Sequence, residues 1–195
     1  MGSQGRRGQI IFLNGTSSSG KSSIAGQLLR MLDPPHFHMS VDAINSMRAR
    51  QKTLELGDAE LAAVLARTRA GFHRAVAGMA EAGNDVIADH VLSERWRLLD
   101  CLQVMAGYRV VFVGVRCAPA ELERREQERG DRLPGAALAQ LAQVHAHGLY
   151  DVECDTTTAS PHDCAVRITD FLGSGRAPTA FDRLRSLLLD RTIRG

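Results

Sequence analysis

The chain has 195 residues, enough for one domain, and 44 percent of them are hydrophobic, which supports a packed core and excludes a disordered chain. A formal net charge of +2, from 24 basic and 22 acidic residues, is no electrostatic footprint for a nucleic-acid backbone. Cys101, Cys117, Cys154 and Cys164 form no C-x-x-C pair and sit among apolar neighbours, the pattern of reduced core thiols in a cytoplasmic protein, and no long apolar run marks a membrane-spanning helix.

Residues 1–8 are rich in Gly, Ser and Arg and read as a flexible leader rather than a signal peptide. Ile10-Ile11-Phe12-Leu13 is a short continuous apolar run, as expected of a strand buried on both faces of a parallel sheet. A Gly/Ser loop follows. A helix is predicted over 22–32, with Ile24, Leu28, Leu29 and Leu32 at helical spacing, and Asp33-Pro34-Pro35 stops it. A second strand is predicted over 37–41, ending at Asp42, and 43–56 is weakly patterned, a helix and a loop. Asp58 is the expected N-cap of a long helix to Ala82, striped by Leu61, Val64, Leu65, Phe72, Val76 and Met79.

Val86-Ile87-Ala88 predicts a third strand that leads to Asp89. Ser93 is the expected cap of a helix to Met105, and 109–115 is the strongest strand in the chain. Pro119 opens a highly charged helix to Arg129. Residues 130–135 form a break, 136–147 a further helix, 150–155 a last strand, and Pro161 begins a helix to Leu172. Gly173-Ser174-Gly175 reads as a linker to an amphipathic tail helix bearing Phe181, Leu184, Leu187 and Leu188. Strands alternating with helices argue for an α/β fold with a parallel sheet covered on both faces. Ligands of such sheets sit beyond the carboxyl ends of the strands, so the residues just after each strand are the candidates for function.

Gly15-Thr16-Ser17-Ser18-Ser19-Gly20-Lys21-Ser22 matches the phosphate-binding pattern G-x-x-x-x-G-K-[ST], between a predicted strand and a predicted helix. Its glycines let backbone N–H groups face phosphate oxygens, and the helix adds its positive dipole end. Lys21 is assigned to the β- and γ-phosphates and Ser22 to Mg²⁺, with Ser23 beside them. The alternative is a Gly/Ser turn with an exposed lysine. No N-K-x-D segment is present and Asp89-His90-Val91-Leu92 lacks the glycine of D-x-x-G, so ATP is favoured over GTP.

Phosphoryl transfer to a hydroxyl calls for a group that aligns the acceptor and accepts its proton. Asp42, at a strand end, is the candidate base, against the alternative of a helix N-cap. Asp89 has the position of a Mg²⁺-binding carboxylate, and Asp155 reads as a turn residue. The segment 124–132 holds four arginines, of which Arg125, Arg129 and Arg132 can share one side of a helix. A mobile lid that clamps ATP charge is one reading, and a solvated helix face with a Glu121–Arg125 pair is the other. The histidines, including His36 and His38, read as surface or core residues, and Trp96 and Phe72 as core.

Several segments together resemble the chloramphenicol phosphotransferases: Leu13-Asn14-Gly15 leading into Ser-Ser-Gly-Lys-Ser-Ser, then Val41-Asp42, Glu94-Arg95-Trp96-Arg97, Val113-Gly114-Val115-Arg116-Cys117, Arg129-Gly130-Asp131-Arg132 and Tyr150-Asp151-Val152-Glu153. The likeness runs in order over residues 10–172. It implies a P-loop NTPase fold like that of adenylate and shikimate kinases, with a five-stranded parallel sheet and an arginine-bearing lid. It also implies ATP- and Mg²⁺-dependent transfer of a γ-phosphate to a small-molecule hydroxyl. The type reaction is 3-O-phosphorylation of chloramphenicol, an antibiotic-resistance activity.

By the same resemblance the catalytic aspartate is Asp42, the ATP-contacting lid arginines lie at Arg129 and Arg132, and Asp89 is the second member of an acidic pair whose first position is Ala88. Residues 45–70 and 91–94 depart from the type enzyme, and by analogy they form the acceptor pocket. The expected organisation is a leader over 1–8, a phosphotransferase domain over 9–172, and a linker and tail helix over 173–195. Expected partners are a small hydroxylated acceptor, no nucleic acid and no membrane, with homo-oligomerisation open. A small-metabolite or nucleotide kinase, and an ATP-binding regulatory module without turnover, are the competing readings.

Overall fold

Side chains alternate across a strand, so a strand that is apolar at every position must be covered on both faces. The computed structural model, which describes residues 6–129 and 135–189 without the side chains of Arg129 and Ala136, has this arrangement. Strands β1 (Ile10–Asn14), β2 (His36–Ser40), β3 (Asp85–His90), β4 (Val110–Arg116) and β5 (Val152–Asp155) form a parallel sheet in the order β2-β3-β1-β4-β5. The central strand β1 pairs with β3 on one side and β4 on the other, in the register Leu13↔Asp89 and Leu13↔Val113.

Ile10, Phe12, Val86, Ala88, Val110 and Phe112 face one layer of helices: α4 (Asp58–Glu81), α5 (Arg95–Val104) and α9 (Ala180–Leu188). Ile11, Leu13, Ile87, Val111 and Val113 face the other, made by α1 (Lys21–Met31) and α8 (Pro161–Gly173). The short helices α2 (Val41–Ser46) and α3 (Arg50–Leu54) lie between β2 and α4. Helices α6 (Pro119–Arg129) and α7 (Ala136–Val144) share a small cluster of Cys117, Leu122 and Ala137. All four cysteines are free and buried. Among the described residues no helix is long and apolar enough to cross a membrane.

The differences from the sequence reading lie at element ends. Strand β2 stops at Ser40, so Asp42 lies in the first turn of α2 instead of capping it. The cap is Ser40, whose hydroxyl accepts from the Ala43 N–H at 3.1 Å. The long helix is capped at Gly57, whose N–H reaches the Glu60 carboxylate at 3.2 Å, and not at Asp58. Helix α5 starts after Glu94, and the Ser93 hydroxyl serves Arg97 at 3.0 Å. The predicted stripe of α4 is buried only in its second half, at Phe72 and Val76, while Leu61, Val64 and Leu65 stay partly exposed.

Residues 6–8, read from composition as part of a loose leader, are tied to β3 and α4. Both Asp85 carboxylate oxygens accept from Arg6 at 2.9 Å, and the Gly8 N–H donates to the Ala80 carbonyl at 2.8 Å. Past Gly173, the chain returns as α9 to place Ala180, Phe181 and Leu184 in the core beside Phe12 and Phe112. Asp151 joins this helix to the sheet, accepting from the Phe112 N–H at 2.8 Å and the Ala180 N–H at 2.7 Å.

Phe181 is 3% exposed. Phe181→Ala should therefore lower the unfolding free energy by about 3–5 kcal/mol, the usual cost of deleting a core aromatic ring. Urea denaturation measures this directly, and an unchanged midpoint would make α9 a peripheral appendage.

Candidate active site

The chain leaves the sheet at Asn14, turns through residues 15–20 and enters α1 at Lys21. A Cβ at position 15 would lie 2.4 Å from the Val115 carbonyl oxygen, so only glycine fits there. Gly20 has φ 91°, and Ser18 adopts φ 59°, a left-handed conformation uncommon outside glycine that often marks a functional turn. The hydroxyls of Ser17, Ser18 and Ser19 are buried and, among the described residues, have no hydrogen-bond partner. A buried unsatisfied hydroxyl costs about 1–3 kcal/mol, so three together fit a turn built to receive an outside acceptor. With the N-terminus of α1 behind it, the cradle suits an oxyanion such as phosphate.

Lys21 is 7% exposed, and its ammonium donates to the Thr16 carbonyl at 2.7 Å and stands 3.7 Å from Asp89. Asp89 accepts from the Ser22 hydroxyl at 2.7 Å, with His38 Nε2 at 3.7 Å. Burial pushes the Asp89 carboxyl up, but the Lys21 charge, hydrogen bonds from His38 and Ser22 and the His38 charge hold it down at about 2. It is ionised at neutral pH. Among the described residues no three His, Cys, Asp or Glu side chains converge as a self-sufficient metal site. Ser22 and Asp89 could therefore hold a divalent cation only in company with ligand oxygens and water, which is the habit of Mg²⁺.

Asp42 lies two residues beyond Ser40, and Ser40 pairs in register with Asp89. Both aspartates line one cleft of about 530 Å³, together with Ser17, Ser18, Gly20, Lys21, Ser22 and Ser23. The other end of the turn is held by Arg125, whose guanidinium donates to the Thr156 carbonyl at 2.8 Å, the Thr156 hydroxyl at 3.2 Å and the Ser18 carbonyl at 3.4 Å. Glu121 accepts from Arg125 Nε at 2.7 Å, the i,i+4 pair expected from the sequence. Arg124 points the other way, into ion pairs with Glu121 and Glu128 on an exposed face. Arg132 and the side chain of Arg129 lie outside the described residues. Asp155 is exposed and accepts from the Thr157 N–H at 2.9 Å, a turn contact.

Several lining residues were given no individual role by the sequence, although Asn45 and Arg69 fall in the segment 45–70 and Arg97 in the matched Glu94-Arg95-Trp96-Arg97 run. Asn45, Arg69, His90, Arg97 and Gln140 reach the cleft from α2, α4, β3, α5 and α7. Trp96, expected in the core, is partly exposed and donates to Glu94 at 2.7 Å. Asn14 braces the turn from behind, donating to the Val144 carbonyl and the Tyr150 hydroxyl at 2.8 Å each and accepting from the Leu92 N–H at 2.9 Å. Nothing in a lone Asn before the motif announces that role.

The family model described as chloramphenicol phosphotransferase-like protein matches residues 8–173. A curated relative from Mycobacterium tuberculosis strain H37Rv, named "Putative O-phosphotransferase Rv2636", is 32% identical over 202 aligned positions, covering 93% of this chain and 90% of its own. Among solved structures, the fold is similar to the Mycobacterium tuberculosis APS kinase CysC in complex with AMPPNP and APS, with TM-score 0.63, 19% identity and coverage of 86% and 98% of the two chains. It is similar also to shikimate kinase from Acinetobacter baumannii in complex with shikimate, with TM-score 0.58, 12% identity and coverage of 89% and 97%. At these identities the likeness is one of fold.

The brace behind the turn includes two histidines, with His147 Nε2 3.4 Å from the Asn14 amide and His145 Nδ1 2.6 Å from the Tyr150 hydroxyl. Burial pushes His145 and His147 down to about 4 from an ordinary 6.5. The unfolded chain takes up these protons first, so this contribution to stability is intact above pH 6.5 and is lost as pH falls toward about 4. Melting temperatures across that window should decline in the parent protein and decline less in a His145→Gln/His147→Gln variant. Parallel declines in the two proteins would show that these histidines titrate alike in both states.

Proposed function

The chain belongs to the chloramphenicol phosphotransferase-like family, and from that membership and the cleft we propose that it moves the γ-phosphoryl group of ATP onto a hydroxyl of a small molecule. The observation that carries the proposal is the joint presence, in one cleft, of a buried oxyanion cradle and the exposed carboxylate of Asp42. The cradle N–H groups, the three serine hydroxyls and Lys21 take the phosphate oxygens. Arg125 and Thr156, at the opposite end from Asp42, hold the nucleotide side. Arg129 and Arg132 keep their assignment to the ATP charge on the family resemblance alone. Ser22 and Asp89 are the residues that would hold Mg²⁺, which would supply neutralisation of phosphate charge.

Asp42 receives the acceptor hydroxyl as a hydrogen-bond donor and orients it toward the phosphorus. As the new O–P bond forms, the hydroxyl proton passes to the Asp42 carboxylate, and the bond to the leaving oxygen of ADP breaks. Because phosphoryl transfer has a loose transition state, orientation by Asp42 contributes as much as proton removal. Free buried thiols suit the reducing, ATP-rich cytoplasm as the place of work.

The family's name carries an antibiotic, and the acceptor end is built from segments that depart from the type enzyme. Chloramphenicol is accordingly expected to be phosphorylated weakly or not at all, measured as product mass after incubation with ATP and Mg²⁺. Efficient, saturable phosphorylation would make it the natural class of acceptor.

Asp42→Asn removes the charge while keeping the side-chain size. Because Ser40 is the cap, the helix terminus is untouched. Melting temperature and ATP affinity should stay near those of the parent, and kcat on a competent acceptor should fall on the order of 10²- to 10⁴-fold. A folded variant with near-parental kcat would remove Asp42 from the chemistry, and ATP binding with no transfer to any alcohol would point to a regulatory module.

A further inference from the structure

The acceptor end of the cleft gathers positive charge that its own carboxylates do not absorb. Arg97 is only 6% exposed and lines the cleft. Its guanidinium donates to the Val91 carbonyl and the Ser93 hydroxyl at 3.0 Å and pairs with Glu94, yet its Nε is buried without a partner. Arg48 donates to the Asn45 side chain at 3.1 Å, and its Nε is likewise buried and unpartnered. Arg69 lines the same cleft as Arg97 and, among the described residues, makes no hydrogen bond or close ion pair. Burial depresses its pKa, Glu94 and Asp42 oppose that, and the Arg48 charge adds to it. Arg97 is depressed by burial first and then by Arg69, so the guanidiniums act on one another.

Three neighbouring cations, two with buried unsatisfied N–H groups, raise the energy of the protein alone. Two carboxylates are near, and neither is spare. Both Glu94 oxygens are engaged, one by Arg97 and the other by the Trp96 indole at 2.7 Å. Asp42 is needed by the acceptor hydroxyl if the proposed transfer is right, and the inference rests on that reading. What the site lacks is an anion brought by the ligand, and guanidinium forks are the groups best shaped to take a planar or tetrahedral oxyanion.

We propose that the acceptor is an alcohol that also carries an oxyanion group, a carboxylate or a phosphate or sulfate ester, and that Arg69 and Arg97, with Asn45 and Arg48 beside them, bind that group while the hydroxyl faces Asp42. The anion offers acceptors to the Arg69 guanidinium, which has none, and balances the charge of its neighbours. It also fixes which hydroxyl of a polyol meets the phosphoryl group. A neutral amide or ester of the same alcohol offers no charge to the cluster and is rejected.

The test begins with protein saturated with AMP-PNP and Mg²⁺, so that the phosphate cradle is occupied, and titrates sulfate by calorimetry. Saturable sulfate binding is expected in the parent protein. It should be weaker by about 10- to 100-fold in Arg69→Gln, the span of one charge-assisted contact, with AMP-PNP affinity within about twofold of the parent. Arg69 is only partly buried, so this variant avoids the folding risk of Arg97, and Arg48→Gln serves as the second variant. Absence of saturable binding, or binding indifferent to both substitutions, overturns the anion site. A second arm presents ATP and matched hydroxy acids, sugar phosphates and their neutral amides or methyl glycosides. The charged member of a pair should be phosphorylated at least tenfold more efficiently, with the KM for it raised in Arg69→Gln. Preference for the neutral members overturns the inference. Intact sulfate binding with no phosphorylation of either member supports the anion site and sinks the phosphotransferase reading instead.

Discussion

The site depends on an ion pair held almost out of water. Lys21 is 7% exposed and Asp89 is 6% exposed, and their charged atoms lie 3.7 Å apart. Either charge alone would be expensive in that place, and breaking such a pair costs more than the pair contributes. The pair forms because β1 and β3 are neighbours in register, with Leu13 opposite Asp89, so the first turn of α1 crosses the end of β3. Sheet order thus becomes charge placement. The Lys21 ammonium is held beside a carboxylate from the neighbouring strand, and Ser22 donates to that same carboxylate.

How much of this could be read without coordinates follows from the range of each interaction. The β1–turn–α1 unit is local: an apolar run, glycines where no Cβ fits and a helix start lie within fifteen consecutive positions, so the sequence pattern carries it. That Asp42 would fall just beyond its strand was legible for the same reason, whereas Asp89, expected just past β3, lies inside it, one residue before its end. The boundary between β2 and α2 was not, because Ser40 and Asp42 are both good caps and only the backbone path decides between them. The meeting of Arg69 and Arg97 was hidden more deeply, although the resemblance pointed to 45–70 as a pocket segment. Arg69 falls inside a helix whose stripe is apolar, and Arg97 follows a tryptophan in a charged segment. Their convergence with Asn45 is a product of tertiary packing that no spacing encodes.

The arginine-rich segment shows why composition alone misassigns charge. Arg124 and Arg125 are adjacent, yet one sits in solvent between two glutamates and the other binds the cradle through Thr156 and Ser18. The helix period separates them by about 100° of arc, which is enough to divide solvation from function. Glu126, 4% exposed, does a third thing in the same turn: its carboxylate accepts from the Gly135 and Ala137 N–H groups at 3.1 and 2.8 Å, fastening α6 to the start of α7. An acid within a run of bases reads as surface charge and is a buried helix cap.

That fastening reaches the cradle itself. Helix α7 sends Gln140 to accept from the Ser17 N–H at 2.9 Å, and its last carbonyl, at Val144, takes a hydrogen bond from Asn14. A neutral amide oxygen therefore occupies one of the turn N–H groups that an oxyanion would use. The exchange favours the anion, since a charged acceptor binds an N–H roughly twice as strongly as a neutral one. An oxyanion at that N–H would compete with Gln140, and α7 is joined through Glu126 to the helix that carries Arg125. One chain of hydrogen bonds, from Ser17 to Gln140 and from the start of α7 to Glu126, thus joins the turn to the helix that carries Arg125.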